Sequence, residues 1–179
     1  GDIRYNVVRW SSSPEPGFSG YGPSIGNPRT GELIAADIVQ EFNAIKRGYN
    51  YRKIWGWTPE SDPLEQWIVS LTMHEVGHTI GLRHNFSASY LWGPKEVHDI
   101  SITGDSTIAS IMDYDPINIA PPGMKQGKYF PTVPGEYDRW AIQFGYSPEL
   151  SDQERAELLA LSILPPYTYG TDGDTMSSP

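Results

Sequence analysis

The segment from position 74 to position 84 constrains the fold more than any other part of the chain. It reads His-Glu-Val-Gly-His-Thr-Ile-Gly-Leu-Arg-His, and it contains three of the four histidines in the sequence. His74 and His78 are four residues apart, so on a helix they lie one turn apart on the same face. Two imidazoles in that arrangement can bind one zinc ion at Zn–N distances of about 2.0–2.1 Å. The segment therefore predicts a helix that carries a metal site.

The third histidine requires the helix to end before it. On a straight helix His84 would lie almost three turns beyond His74 along the axis. Gly81 can adopt a positive φ and reverse the chain, which would bring His84 back to the same ion. Three protein ligands leave a fourth position for water, as in catalytic zinc sites. A structural zinc site fits less well, because such sites usually have four protein ligands and the chain has no cysteine.

Two further residues are interpreted from their position relative to the motif. Glu75 lies about 100° around the helix from His74, beside the metal, where a carboxylate can take a proton from zinc-activated water. Elsewhere on a helix it would be a solvated charge, but between two zinc ligands in an apolar segment it is expected to be the general base. His98 lies outside the motif, and we interpret it as an ordinary surface or core histidine.

The residues around the motif predict a long, buried helix. Asp62 can act as its N-cap, Pro63 suits the first helical position, and Glu65 completes a capping-box pattern. One apolar stripe of the segment is formed by Val69, Met73, Val76 and Ile80. Most of the remaining helix surface is covered by four further apolar residues, Leu64, Trp67, Ile68 and Leu71. A helix that is apolar nearly all round is typical of the middle of a domain. We therefore expect the zinc ligands to lie on a rigid element.

The region before this helix predicts strands. Residues 3–10 and 32–40 have the composition and alternation of strands. Residues 11–30 are rich in Ser, Gly and Pro, which predicts a long loop with Phe18 and Tyr21 as its anchors.

The region after the motif predicts loops followed by two helices. Residues Glu136–Phe144 have an amphipathic pattern, and residues 152–163 follow a capping box formed by Ser151 and Glu154. The tail, residues 166–179, is expected to be loose.

A second motif, Ser-Ile-Met-Asp-Tyr, ends at Tyr114. Together with the histidine motif, it resembles the Met-turn of the metzincins, a clan of zinc proteases. Met112 matches the methionine that in the clan lies beneath the zinc as an apolar floor. Tyr114 matches the tyrosine that in astacin-like and serralysin-like members approaches the zinc and stabilises the oxyanion, whereas the matrixin branch lacks it. An ordinary packing role stays open for both residues.

Three longer segments narrow the resemblance: Asp2–Trp10, Asn27–Leu33 and His74–Phe86. They are similar to large secreted bacterial zinc-dependent proteases described as Met-zincins. The resemblance implies an α+β zincin-like metzincin fold, with a small mixed sheet, an antiparallel edge strand and a buried active-site helix. A loop-rich lower subdomain with a C-terminal helix would complete that fold.

The same resemblance implies a division of the chain into subdomains. Residues 1–165 would form the catalytic domain, with an upper subdomain at 1–81 and a lower one at 82–165. Members of the clan usually carry a helix and strands before the strand that DIRYNVV resembles. An excised core of a larger protein would account for that difference, and further domains of a parent chain are then expected as partners.

The resemblance also implies where substrate binds. In metzincins the strand matched by residues 32–40 is taken to be the antiparallel sheet edge over the cleft, and substrate peptides pair with such an edge as an added strand. The residues that inherit a substrate-binding role are Gly31, Glu32, Leu33, Ile34, Ala35 and Ala36.

Composition limits the partners. The net charge of −9 argues against nucleic acid and against anionic membrane surfaces. No transmembrane run is present, so membrane insertion is not expected. A secreted, periplasmic or cell-surface location is implied by the resemblance alone.

The sequence as a whole predicts a zinc-dependent endopeptidase with one catalytic Zn²⁺ and a peptide or protein substrate. Zinc held by His74, His78 and His84 would activate water, Glu75 would act as the base, and Tyr114 would stabilise the oxyanion. Two alternatives stay open. One is a zinc-retaining, protease-like binding or scaffold module of a larger surface protein, and the other is a zinc hydrolase of non-peptide amides or esters.

Overall fold

The chain divides into two compact units, residues 1–81 and residues 82–179. The computed structural model describes residues 5–15, 17–43, 46, 63–171 and 173–174. Two features predicted from the sequence, the start of the first strand at Ile3 and the N-cap Asp62, lie outside these residues. Within them, no helix has the length and apolar character needed to cross a membrane. The secondary structure is mixed α and β, as predicted.

The first unit contains a small mixed sheet. Its strands are β1 (Val7–Ser11), β2 (Gly20–Tyr21), β3 (Ser24–Gly26) and β4 (Leu33–Glu41). Strand β4 lies at the centre: β1 pairs with it in parallel, and β2 and β3 pair with it in antiparallel.

The short strands β2 and β3 together form one edge of this sheet. Gly20 is opposite Gln40 in β2, and Ser24 is opposite Ala36 in β3, so the two strands continue a single antiparallel register. Between them the backbone nitrogen of Asp37 donates to the carbonyl of Pro23 at 3.2 Å. Among the described residues this edge pairs with β4 alone.

The prediction that residues 32–40 form the antiparallel edge is therefore wrong. That strand exists, but it is paired on both sides, and the edge lies inside the predicted loop 11–30. Strands of two and three residues that contain Gly and lie next to Pro show no alternation that a sequence pattern could detect. Phe18 and Tyr21, the predicted anchors of this loop, are 46% and 59% exposed, so they do not anchor it by burial.

One face of β4 packs against the long helix. Ala36, Ile38 and Gln40 alternate along the strand and are all buried. The Gln40 side-chain amide donates to the Thr72 hydroxyl at 2.5 Å, which connects the sheet to the helix. A buried amide with a hydrogen-bond partner avoids the cost of burying an unpaired polar group.

The long helix, α1, spans Leu64–Thr79, and Pro63 is its N-cap residue. Its most buried residues are Ser70, His74, Glu75 and Gly77. The predicted apolar stripe is less buried than expected, because Val76 and Ile80 are 38% and 36% exposed. The helix therefore turns the side that carries Ser70, His74 and Glu75 inward, which a pattern of hydrophobic residues cannot predict.

The second unit consists of helices and loops. Its α-helices are α2 (Ile100–Thr103), α3 (Glu136–Tyr146) and α4 (Asp152–Ala160). Short 3-10 helices occur at Ala88–Tyr90, Glu96–His98, Leu161–Ile163 and Pro165–Tyr167. Among the described residues of this unit, the buried apolar ones are Ala88, Ile108, Ala109, Ile111, Met112 and Pro131.

Residues 166–171 contact α3 and the segment around Asn85. The Tyr169 ring stacks on Tyr137 with centroids 5.9 Å apart, and the Gly170 nitrogen donates to the Asn85 side chain at 3.0 Å. Residues 166–171 are therefore packed, and the predicted loose tail does not begin at 166. The predicted capping box at the start of α4 is confirmed, since Ser151 and Glu154 form it.

Candidate metal and active site

The first two histidines of the motif lie on consecutive turns of α1. The ring centroids of His74 and His78 are 4.8 Å apart and their planes are close to perpendicular, at 86°. The helix ends at Thr79, and the Gly81 nitrogen donates to the His78 carbonyl at 3.1 Å. Gly81 has a φ of 92°, the positive value predicted for the chain reversal. This conformation is strained for any residue with a Cβ.

The reversal brings the third histidine to the other two. The ligand nitrogens of His74, His78 and His84 all lie within 4.8 Å of one another. In tetrahedral coordination at about 2.0–2.1 Å, two nitrogens on one zinc are separated by roughly 3.4 Å, so small side-chain rotations suffice. Neutral imidazoles are ligands that zinc prefers. The donor set therefore fits a zinc ion with an open fourth position.

His98 is not part of this cluster. It is buried, at 8% exposure, and among the described residues its Nδ1 has no hydrogen-bond partner. Its burial agrees with the core alternative of the interpretation as an ordinary surface or core histidine, whereas within the described part of the chain its Nδ1 lacks the hydrogen bond that such a histidine usually has.

Glu75 is buried next to the first histidine, with 5% of its surface exposed. Burial raises the pKa of the Glu75 carboxyl from 4.5 to about 7, because the ionised form loses its hydration. This value refers to the protein without a metal ion. A carboxyl whose pKa lies near neutral pH can both accept and release a proton, as a general base requires.

The Met-turn is connected to the chain that follows the third histidine. Met112 is fully buried, and its carbonyl accepts a hydrogen bond from the Asn85 backbone nitrogen at 3.0 Å. The Asp113 carboxylate accepts from the Ser89 backbone nitrogen at 2.9 Å. These two bonds hold the turn beside the segment that carries His84.

Tyr114 lies on the solvent side of the turn. Its ring centroid is 4.4 Å from that of His84 and 5.9 Å from that of Phe86. The residue is 64% exposed. A tyrosine whose only role was to pack beneath the site would be buried, so this position leaves the ring accessible to a ligand.

Comparison with known proteins gives one match. The family model described as Met-zincin matches residues 60–179, which include α1, the three histidines and the Met-turn. The chain belongs to the Met-zincin family. No curated protein and no solved structure was found to match it.

In this Met-zincin the turn depends on a residue that sequence analysis missed. Asp138, in the first turn of α3, is 2% exposed. Its carboxylate accepts from the Ser110 hydroxyl at 2.5 Å, from the Ile111 nitrogen at 2.9 Å and from the Gly135 nitrogen at 2.8 Å. Burial raises the pKa of Asp138, while these hydrogen bonds oppose the rise. An acidic residue at the third helical position is a capping signal, but its contact with the Met-turn is not visible in the sequence.

The residues predicted to bind substrate lie at the turn into β4 and along its first half. Gly31, with a φ of 76°, is in the turn, and its nitrogen donates to the Asn27 carbonyl at 2.8 Å. Ala36 is buried, whereas Ile34 is 45% exposed. Leu33 lies near Gly81, just after the end of α1. A Cβ atom added to Gly81 would be 4.0 Å from Leu33 Cδ1. Their substrate-binding role stays a prediction.

Proposed function

We propose that this Met-zincin is a zinc-dependent endopeptidase. The observation that carries the proposal is the cluster of three imidazole ligands within 4.8 Å of one another, with Glu75 next to one of them in sequence and buried. A binding module would need the ligands alone and has no use for a buried carboxylate at this position. Burying such a carboxylate costs stability.

Each residue of the site has a separate task in this proposal. His74, His78 and His84 hold the zinc, which when bound supplies a Lewis acid and lowers the pKa of water towards about 7. Glu75 takes a proton from the attacking water and passes it to the leaving amine.

Tyr114 is proposed to stabilise the negative charge that develops on the scissile carbonyl oxygen. Its ring lies against His84 and is largely exposed, so its hydroxyl can reach a substrate bound at the histidines. A hydrogen bond of this kind is stronger in the transition state than in the ground state.

The edge formed by β2 and β3 is proposed to hold the substrate backbone. An extended peptide can pair with an exposed sheet edge as an additional strand. Tyr21 in β2 and Ile25 in β3 are 59% and 64% exposed, and their side chains are available to contact the peptide. Glu75 lies against the same edge, at Gly20 and Gly22.

Digestion of a peptide library tests the proposal. The wild-type protein, loaded with zinc, should cleave peptides, and 1,10-phenanthroline should abolish the cleavage until zinc is returned. The matched control is Glu75→Gln, which should bind zinc without cleaving. Zinc binding with no cleavage by the wild type would identify a protease-like binding module. Cleavage of small amides or esters alone would identify a non-peptide hydrolase.

A further inference from the structure

Two glycines of the sheet edge lie against the side chain of Glu75. A Cβ added at Gly20 would overlap Glu75 Oε1 and would lie 2.9 Å from Cδ and from Cγ. A Cβ added at Gly22 would lie 2.7 Å from the Glu75 backbone oxygen and 2.9 Å from Oε2. Real Cβ atoms essentially never approach other atoms closer than 3.0 Å. Only glycine fits at either position with Glu75 in its present place.

Space, rather than backbone conformation, is what requires these glycines. The described glycines with a positive φ are Gly31, Gly81, Gly104 and Gly123, so neither Gly20 nor Gly22 is among them. Residues two apart on an extended segment point to the same side. Gly20 is opposite the buried Gln40, so this side faces the interior of the unit. The absence of two side chains there leaves a groove that the Glu75 side chain occupies.

We propose that Gly20 and Gly22 are positioning residues for Glu75, and that the segment 20–22 thereby fixes the base relative to the substrate backbone. The inference rests on the proposed function. The peptide would pair with the edge that contains these residues, and the carboxylate is seated against Gly20 and Gly22 on the face of the sheet towards which their Cβ positions point. One short segment then sets both the register of the substrate and the place of the base.

The physical advantage concerns the freedom of the glutamate side chain. A glutamate has three rotatable bonds, and a base must come within hydrogen-bond reach of the proton that it accepts. Misplacement of a reacting group by about 1 Å can reduce a rate by roughly 10²-fold. The walls of the groove lie against the Glu75 side chain and restrict those rotations by steric contact. A side chain on either glycine would fill the groove and displace the carboxylate.

Steady-state kinetics of Gly20→Ala give the first test. The added methyl collides with Oε1, Cδ and Cγ of the Glu75 side chain, which can rotate, so the carboxylate moves while the backbone stays. We expect kcat to fall by about 10- to 100-fold, with KM and zinc content close to those of the wild type. In Gly22→Ala kcat should fall further, since the added methyl collides with the backbone of Glu75, which cannot rotate away.

Gly17→Ala is the matched control. Gly17 precedes the same edge, does not have a positive φ, and has nothing within 4 Å of an added Cβ. It should show wild-type kcat and KM. If Gly20→Ala also shows wild-type kcat, Gly20 does not position the base and the inference is overturned.

A double-mutant cycle on the metal-free protein tests the contact without any activity. Gly20→Ala should lower the Tm by a few degrees in the wild-type background, because the methyl and the carboxylate compete for one space. In the Glu75→Ala background the space is empty, and the same substitution should leave the Tm unchanged or raise it. Equal losses of Tm in both backgrounds would overturn the inference whether or not the protein cleaves peptides. If the Tm changes in the two backgrounds differ as expected but the wild type cleaves no peptide, the positioning of Glu75 by Gly20 is supported. The peptidase proposal alone then fails.

Discussion

The ring of Tyr114 lies against the ring of His84, with centroids 4.4 Å apart and planes inclined at 52°. His84 is one of the three clustered ligands, and Tyr114 follows the buried Met112 by two residues. The Met-turn therefore presents one side chain to the interior and another to solvent beside one of the clustered histidines. This arrangement allows the packing and catalytic contributions of the turn to be separated by mutation.

Replacing Tyr114 by Phe removes the hydroxyl and keeps the ring against His84. If the hydroxyl stabilises the oxyanion, kcat should fall by roughly ten- to a thousandfold while KM and zinc affinity change little. Steady-state kinetics on a cleaved peptide measure this. The control is Tyr90→Phe, at an 83% exposed position, which should behave as wild type. An unchanged kcat in Tyr114→Phe would exclude the residue from the catalytic set.

Removal of one zinc ligand should reduce metal content. The purified wild type should hold close to one zinc per molecule, and His84→Ala should lower this sharply, because two imidazoles hold zinc less tightly than three. His98→Ala, outside the cluster, should retain wild-type zinc when content is expressed per folded molecule. Elemental analysis after dialysis gives the stoichiometry. Equal zinc in wild type and His84→Ala would eliminate the three-histidine assignment.

Glu75→Gln separates chemistry from metal binding. The amide has the shape of the carboxylate but cannot accept the proton, so hydrolysis should fall by orders of magnitude while zinc content stays near that of the wild type. Kinetics and elemental analysis on the same preparation provide both values. Cleavage at a near-wild-type rate would show that another group is the base.

Asp138→Ala should destabilise the second unit. The substitution leaves the Ser110 hydroxyl and the Ile111 and Gly135 nitrogens without their buried acceptor. We expect a loss of about 2–4 kcal/mol in the free energy of unfolding, measured by urea denaturation. The control is Asp152→Ala, at the exposed start of α4. Its free energy of unfolding should decrease by well under half as much as that of Asp138→Ala. Similar losses in the two variants would mean that Asp138 does not stabilise the Met-turn.

The stability of the protein should depend on pH through Asp115. Burial, with a smaller contribution from the neighbouring charge of Asp113, raises the pKa of Asp115 from 3.8 to about 7. The pKa of Asp115 is higher in the folded state than in the unfolded state, so folding is more favourable when Asp115 is protonated. The free energy of unfolding therefore decreases as the pH rises from about 4 to about 7. Asp115→Asn should therefore gain stability relative to wild type over that range, by on the order of 2–4 kcal/mol between pH 4 and pH 8. Urea denaturation of the metal-free proteins at several pH values measures the difference, and a difference that does not vary with pH would contradict the raised pKa.

Features that depend on residues close in sequence were determined by the sequence itself. The spacing of His74 and His78 predicts a helix, the glycine at 81 permits the reversal that follows it, and Ser151 with Glu154 caps α4. Each involves residues within one or two helical turns, so periodicity and the conformational limits of each residue type are sufficient.

Features that depend on contacts between distant segments were decided by the tertiary structure. The edge formed by β2 and β3 exists only because β4 provides its hydrogen bonds. The prediction from the sequence therefore assigned the edge to β4, which is paired on both sides. Asp138 reaches Ser110 across 28 positions, and the glycines at 20 and 22 meet Glu75 across more than 50. Hydrogen bonds and steric fit at such separations depend on how whole elements pack, and local sequence patterns contain no information about that packing.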